Sequence, residues 1–107
     1  MRLKIVIGLM AKGAEYREFA RVVDLPVMPE RIDVGPFTLS AKDADEHLTY
    51  CVAEEMYRVY WEVDITETEK GGFATAADRA LACGAWLLDE GFITVPDDDT
   101  EGAEGEA

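Results

Sequence analysis

The chain has 107 residues, enough to bury one hydrophobic core, and its 23 acidic residues against 10 basic ones give a formal net charge of −13. That imbalance disfavours direct contact with nucleic acid or anionic lipid and steers the protein toward a basic partner. No stretch approaches the ~20 apolar residues of a membrane span, and Cys51 and Cys83 stand far apart without CxxC spacing, so a reducing, cytoplasmic setting is expected.

The amino terminus alternates Leu3, Ile5, Ile7 and Leu9 with Lys4, Val6, Gly8 and Met10, which predicts a strand turning at Lys12-Gly13. A basic start before an apolar run has the outline of a signal peptide. The run is short, Lys4 interrupts it, and Lys12-Gly13-Ala14-Glu15 offers no cleavage site, so a strand is the reading adopted. Residues 15–25 carry two patterns. Tyr16, Phe19, Ala20 and Val23 form a helical stripe, while Phe19, Arg21, Val23 and Leu25 alternate as a strand; Val22-Val23 before Asp24-Leu25-Pro26 favours the strand. Ile32-Asp33-Val34 and Phe37-Thr38-Leu39 suggest a short strand pair around Gly35-Pro36.

The clearest pattern lies at 48–66. Tyr57, Val59, Trp61, Val63 and Ile65 alternate with Arg58, Tyr60, Glu62, Asp64 and Thr66, a strand with one buried face. A two-residue turn at Glu54-Glu55 sets Val52 against Tyr57, Tyr50 against Val59 and Leu48 against Trp61. On the other face it sets Cys51 against Arg58, Thr49 against Tyr60 and His47 against Glu62. Glu-Glu is a poor choice for such a turn, which needs positive φ.

A helix follows, with Thr75 as N-cap, Asp78 in its first turn and Gly91 as the C′ residue. Ala77, Ala80, Leu81, Gly84, Leu87 and Leu88 are its expected apolar face, leaving Cys83 near an edge and Trp86 on the opposite side. Phe92–Val95 reads as an edge strand stopped by Pro96. The sum is an α+β domain over residues 1–96: a small antiparallel sheet of four to five strands packed by one carboxy-terminal helix. Residues 97–107 hold six acids and no base, the composition of a disordered tail. All ten bases precede it, and the body still carries more acids than bases.

Catalytic and metal-binding constellations are missing from the sequence. His47, the only histidine, lies in Asp43-Ala44-Asp45-Glu46-His47, but no second histidine, nucleophile or cofactor pocket accompanies it. The same stretch begins like a calcium loop, then fails at the required glycine, where Leu48 stands. Ser40 is the only serine and has no G-x-S-x-G context, and Gly71-Gly72 lacks the rest of a phosphate loop beside Glu67 and Glu69. No enzymatic activity, cofactor or metal is expected.

Surface recognition remains. Tyr60 with Arg58, Glu62 and Asp64, the turn acids Glu54 and Glu55, and the helix residue Trp86 are the expected partner-binding residues, since Tyr, Trp and Arg dominate binding hot spots. In size and charge the chain resembles the small inhibitors that phages and mobile elements make against host nucleases, restriction enzymes or CRISPR complexes. The resemblance implies carboxylates placed where phosphates would lie on a basic surface, and a monomer or homodimer. The other classes compatible with the sequence are a phage structural or assembly protein and a small-ligand binder with a pocket between subunits lined by His47, Tyr60 or Arg58.

Overall fold

The computed structural model describes residues 1–34, 37–66 and 72–95; the side chain of His47, Gly71 and the acidic tail lie outside the described residues. Element order is β1 (Arg2–Met10), β2 (Arg17–Asp24), β3 (Arg31–Val34), β4 (Phe37–Ser40), β5 (Glu46–Cys51), β6 (Met56–Asp64), α1 (Ala76–Asp89) and β7 (Ile93–Val95), with a 3₁₀ turn at Ala41–Asp43. The class is α+β, and residues 17–24 form the strand rather than the helix.

Five strands make one sheet in the order β5-β6-β1-β2-β7, and β3 with β4 makes a separate two-stranded ribbon. The main sheet is mixed, which corrects the antiparallel expectation: β1 pairs antiparallel with β2 but parallel with β6, Leu3 beside Tyr57 and Ile7 beside Trp61. Alternation fixes which face a side chain takes, and it is blind to the direction of the neighbouring strand.

The core lies on the face carrying Leu3, Ile5, Ile7, Leu9, Phe19, Val59 and Trp61. Cys83, Leu87 and Phe92 cover it from the helix side, and Val34, Leu39 and Ala44 from the ribbon side. Leu3, Ile7, Phe19 and Leu87 are fully buried, each contributing about 1.5–3 kcal/mol by leaving water. The indole of Trp61 is buried with its polar atom satisfied, Nε1 donating to the Ser40 carbonyl at 2.8 Å, and so ties the ribbon to β6.

The β5–β6 hairpin closes on a four-residue loop, with Cys51 opposite Met56, Tyr50 opposite Tyr57 and Thr49 opposite Arg58. This replaces the expected register. Glu55 adopts φ 57° at the end of the loop, the left-handed conformation that a Glu-Glu pair would have had to take twice in a two-residue turn. A shift by two residues keeps Thr49, Tyr50 and Cys51 on their expected faces. Tyr50 and Tyr57 meet edge to face at 5.0 Å between ring centroids. An irregularity then intervenes, and Glu46, not Thr49, lies opposite Tyr60.

Helix α1 has the expected ends. Thr75 Oγ1 accepts from the Asp78 N–H at 3.0 Å, and Gly91, at φ 90°, allows its N–H to reach Leu88 and the Phe92 N–H to reach Leu87. The last turn has no basic residue of its own; the Arg21 guanidinium of β2 supplies the positive charge, donating to the Glu90 carbonyl. The buried face is turned from the expected one. Cys83, Gly84 and Leu87 are buried, while Leu81 and Leu88 are 66% and 49% exposed. Apolar residues span a wider arc of this helix than one sheet contact covers, and Gly84, close enough to the Phe19 ring that a Cβ would lie 3.2 Å from it, sets the contact toward Cys83. Burial raises the pKa of the Cys83 thiol, opposed by nearby Arg79.

A candidate partner-binding surface on the open sheet face

The other face of the sheet is built in cross-strand rows by the register. Lys4 lies between Val22 and Arg58, Val6 between Ala20 and Tyr60, Gly8 between Glu18 and Glu62, and Met10 beside Asp64. The rows sort charge along the strands. The three bases of this face, Arg2, Lys4 and Arg58, stand together at the hairpin end, where Lys4 pairs with Glu54 at 3.3 Å and Arg58 approaches Glu46 at 4.0 Å. Glu18, Glu62 and Asp64 stand at the other end, and Asp45 joins them.

Gly8 makes the centre of this acidic end possible. The hydroxyls of Tyr16 and Tyr60 bond to each other above it, in space that any side chain at position 8 would fill. Tyr16 also donates to Glu18 at 2.8 Å. Both phenols have raised pKa values: for Tyr16 through burial, then its bonds to Tyr60 and Glu18; for Tyr60 through burial and then the charges of Glu62, Glu18 and Asp45, against the bond to Tyr16. The pair is therefore a neutral, hydrogen-bonding aromatic floor among carboxylates.

Asp45 is fixed by main-chain contacts. Its N–H donates to the Tyr60 carbonyl at 2.9 Å and its carboxylate accepts from the Glu62 N–H at 2.6 Å. Asp64 has a lowered pKa, held down by hydrogen bonds from the Thr66 side chain and backbone and by the charge of Arg79, so it stays ionised.

Of the residues expected from sequence, Tyr60, Glu62 and Asp64 come together here. Glu54 and Glu55 belong to the hairpin loop about 20 Å from Glu62 at strand spacing, and Glu54 is neutralised by Lys4. Arg58 belongs to the basic row. Cys51, expected beside Arg58, lies opposite Met56. Trp86 is on α1, across the sheet, with its ring edge-to-face to Phe73 at 6.1 Å between centroids. The expected site is thus split. Sequence reasoning missed Tyr16, Glu18 and Asp45; the even parity of residue 18 on a strand reading was the available signal for Glu18.

Among the described residues no group of three or more His, Cys, Asp or Glu side chains is placed to hold a metal ion, and no helix is long and apolar enough to cross a membrane. Comparisons with protein-family models, curated proteins and solved structures return no match.

Proposed function

We propose that this protein is a non-enzymatic binding module that sets the acidic end of its open sheet face against a basic surface of another protein. The observation that carries the reading is the segregation of charge: Glu18, Glu62 and Asp45 surround the Tyr16–Tyr60 pair, while Lys4 and Arg58 are gathered at the far end beside acids of their own. Carboxylates on neighbouring strands, with aromatic hydroxyls between them, offer a basic groove the negative charge and hydrogen-bond acceptors that phosphates would. A phage or mobile-element inhibitor that occupies the nucleic-acid groove of a host nuclease or defence complex fits this chemistry.

The test is capture from host extract at low salt. The expected partner handles nucleic acid, releases as salt rises, is displaced by its nucleic acid, and binds the Glu62→Lys and Asp64→Lys variants at least ~10-fold more weakly. Salt-insensitive binding that nucleic acid does not displace would remove the mimicry reading.

A second reading, an assembly protein forming a homo-oligomer, is favoured by the exposed Leu81 and Leu88 on one side of α1. Mass measurement separates the two: a symmetric oligomer that persists on dilution supports assembly, and a monomer supports the inhibitor.

A further inference from the structure

Strand β6 has an unpaired edge. Pairing with β5 ends at Glu46 opposite Tyr60, so among the described residues no strand flanks Trp61–Asp64 on that side. The Tyr60 carbonyl and the Glu62 N–H both point to this edge, since they bond the Asp45 N–H and carboxylate respectively. Alternate residues of a strand turn their main-chain groups the same way, so the Glu62 carbonyl and the Asp64 N–H and carbonyl face it too. The Asp45 carboxylate stands where the carbonyl of a next strand would. Beyond the edge runs a groove of about 410 Å³ between β6 and β4, with Phe37 and Val63 as apolar wall and Asp43, Glu62 and Asp64 as its charged groups; no base lines it.

We propose that this edge receives an extended, lysine- or arginine-bearing segment of a partner protein as an added strand. Main-chain bonds to Glu62 and Asp64 hold the segment, its apolar side chains rest on Phe37 and Val63, and its basic ones meet the three acids. A second copy of the chain is the poorer occupant, because each copy brings a net charge of −13 to the contact. This inference rests on the acidic-surface reading and specifies how the partner engages it.

The probe is an eight-residue peptide of alternating lysine and valine, with three controls: the same peptide N-methylated at alternate amides in each of the two phases, and a version with glutamate for lysine. Amide exchange followed by NMR on the full chain is expected to show the Asp64 N–H protected ~10-fold or more by the lysine peptide. N-methylation on the edge-facing amides is expected to weaken binding ~10-fold or more, as loss of one or two hydrogen bonds requires, and the glutamate peptide is expected not to bind. Equal affinity of the N-methylated peptide in both methylation phases would overturn strand addition while leaving the acidic-surface reading intact. Absence of binding by the lysine peptide at low salt would overturn both. Concentration-dependent protection of Asp64 without peptide would overturn the proposed occupant in favour of a second copy.

Discussion

The Tyr16 and Tyr60 hydroxyls form a directed chain. A phenol has one hydrogen, and Tyr16 gives its own to Glu18 at 2.8 Å, so Tyr60 donates to Tyr16. The chain exists because position 8 has no side chain, a Cβ there lying 2.6 Å from the Tyr60 hydroxyl. Gly8→Ala is therefore expected to push the two rings apart while leaving the strand paired. Because flexible ring ends give way rather than backbone, and alanine suits a strand better than glycine, stability should change by no more than ~1 kcal/mol. The loss should appear in the spectroscopy of the tyrosines, and an unchanged tyrosine titration would refute the contact.

Alkaline titration tests the same pair. Both phenols have folded pKa values above the ordinary 10.0, so the fold favours their neutral form. Their contribution to stability is present in full below pH 10 and is lost as the pH rises above it. Tyrosinate absorbance should show a late component above pH 10 that disappears in Tyr16→Phe/Tyr60→Phe. Chemical denaturation of the wild type should show stability falling over the same interval, with a shallower fall in the double variant.

Sequence made the faces of this fold legible and left the neighbours hidden. Alternation assigned Tyr60, Glu62 and Asp64 to the outward side of β6 correctly, and the cap chemistry of Thr75 and Gly91 located α1. It could not show that β1 runs parallel to β6, and only that pairing places Glu62 and Glu18 on either side of Gly8. Tyr16 and Asp45 lie just outside their strands, where no periodicity speaks; their positions come from the Gly8 gap and from main-chain bonds. Trp86 was placed correctly away from the buried face of α1 but joined to a surface on the far side of the sheet.

The turn of α1 about its axis has a direct check. Leu87→Ala should cost about 2–5 kcal/mol, since that side chain is fully buried. Leu81→Glu and Leu88→Glu should each stay within about 0.5 kcal/mol of wild type in a monomer. Denaturant midpoints measure all three, and a large loss at Leu81 would restore the face expected from the sequence.

Gly84 allows a graded test of helix–sheet contact. A Cβ there would lie 3.2 Å from Phe19 Cζ and 3.4 Å from Arg17 Nη1, tight but yielding by a small shift. Gly84→Ala gains up to ~1 kcal/mol of helix propensity against that crowding and should leave stability within ~1 kcal/mol of wild type. Gly84→Val has no such room and should cost about 1–3 kcal/mol, read from thermal unfolding.

Carboxylates kept for binding rather than folding should reveal themselves by stabilising the free protein when removed. Glu62 and Glu18 flank Gly8 on opposite neighbouring strands, about 10 Å apart at ordinary strand spacing. Their mutual repulsion in a water-like medium is about 0.4 kcal/mol, and Asp45 adds to it. Glu62 accepts no side-chain hydrogen bond in the tyrosine chain, so Glu62→Gln should raise stability by a few tenths of a kcal/mol at low salt. The gain should fade by 0.15 M salt, where the Debye length is ~8 Å. Glu18→Gln makes the opposing case: it relieves the same repulsion but weakens the charged acceptor of Tyr16, so its gain should be smaller or reversed. Paired denaturation curves at two salt concentrations measure the difference, and Glu62→Gln destabilising the protein at low salt would mean that this carboxylate serves the fold.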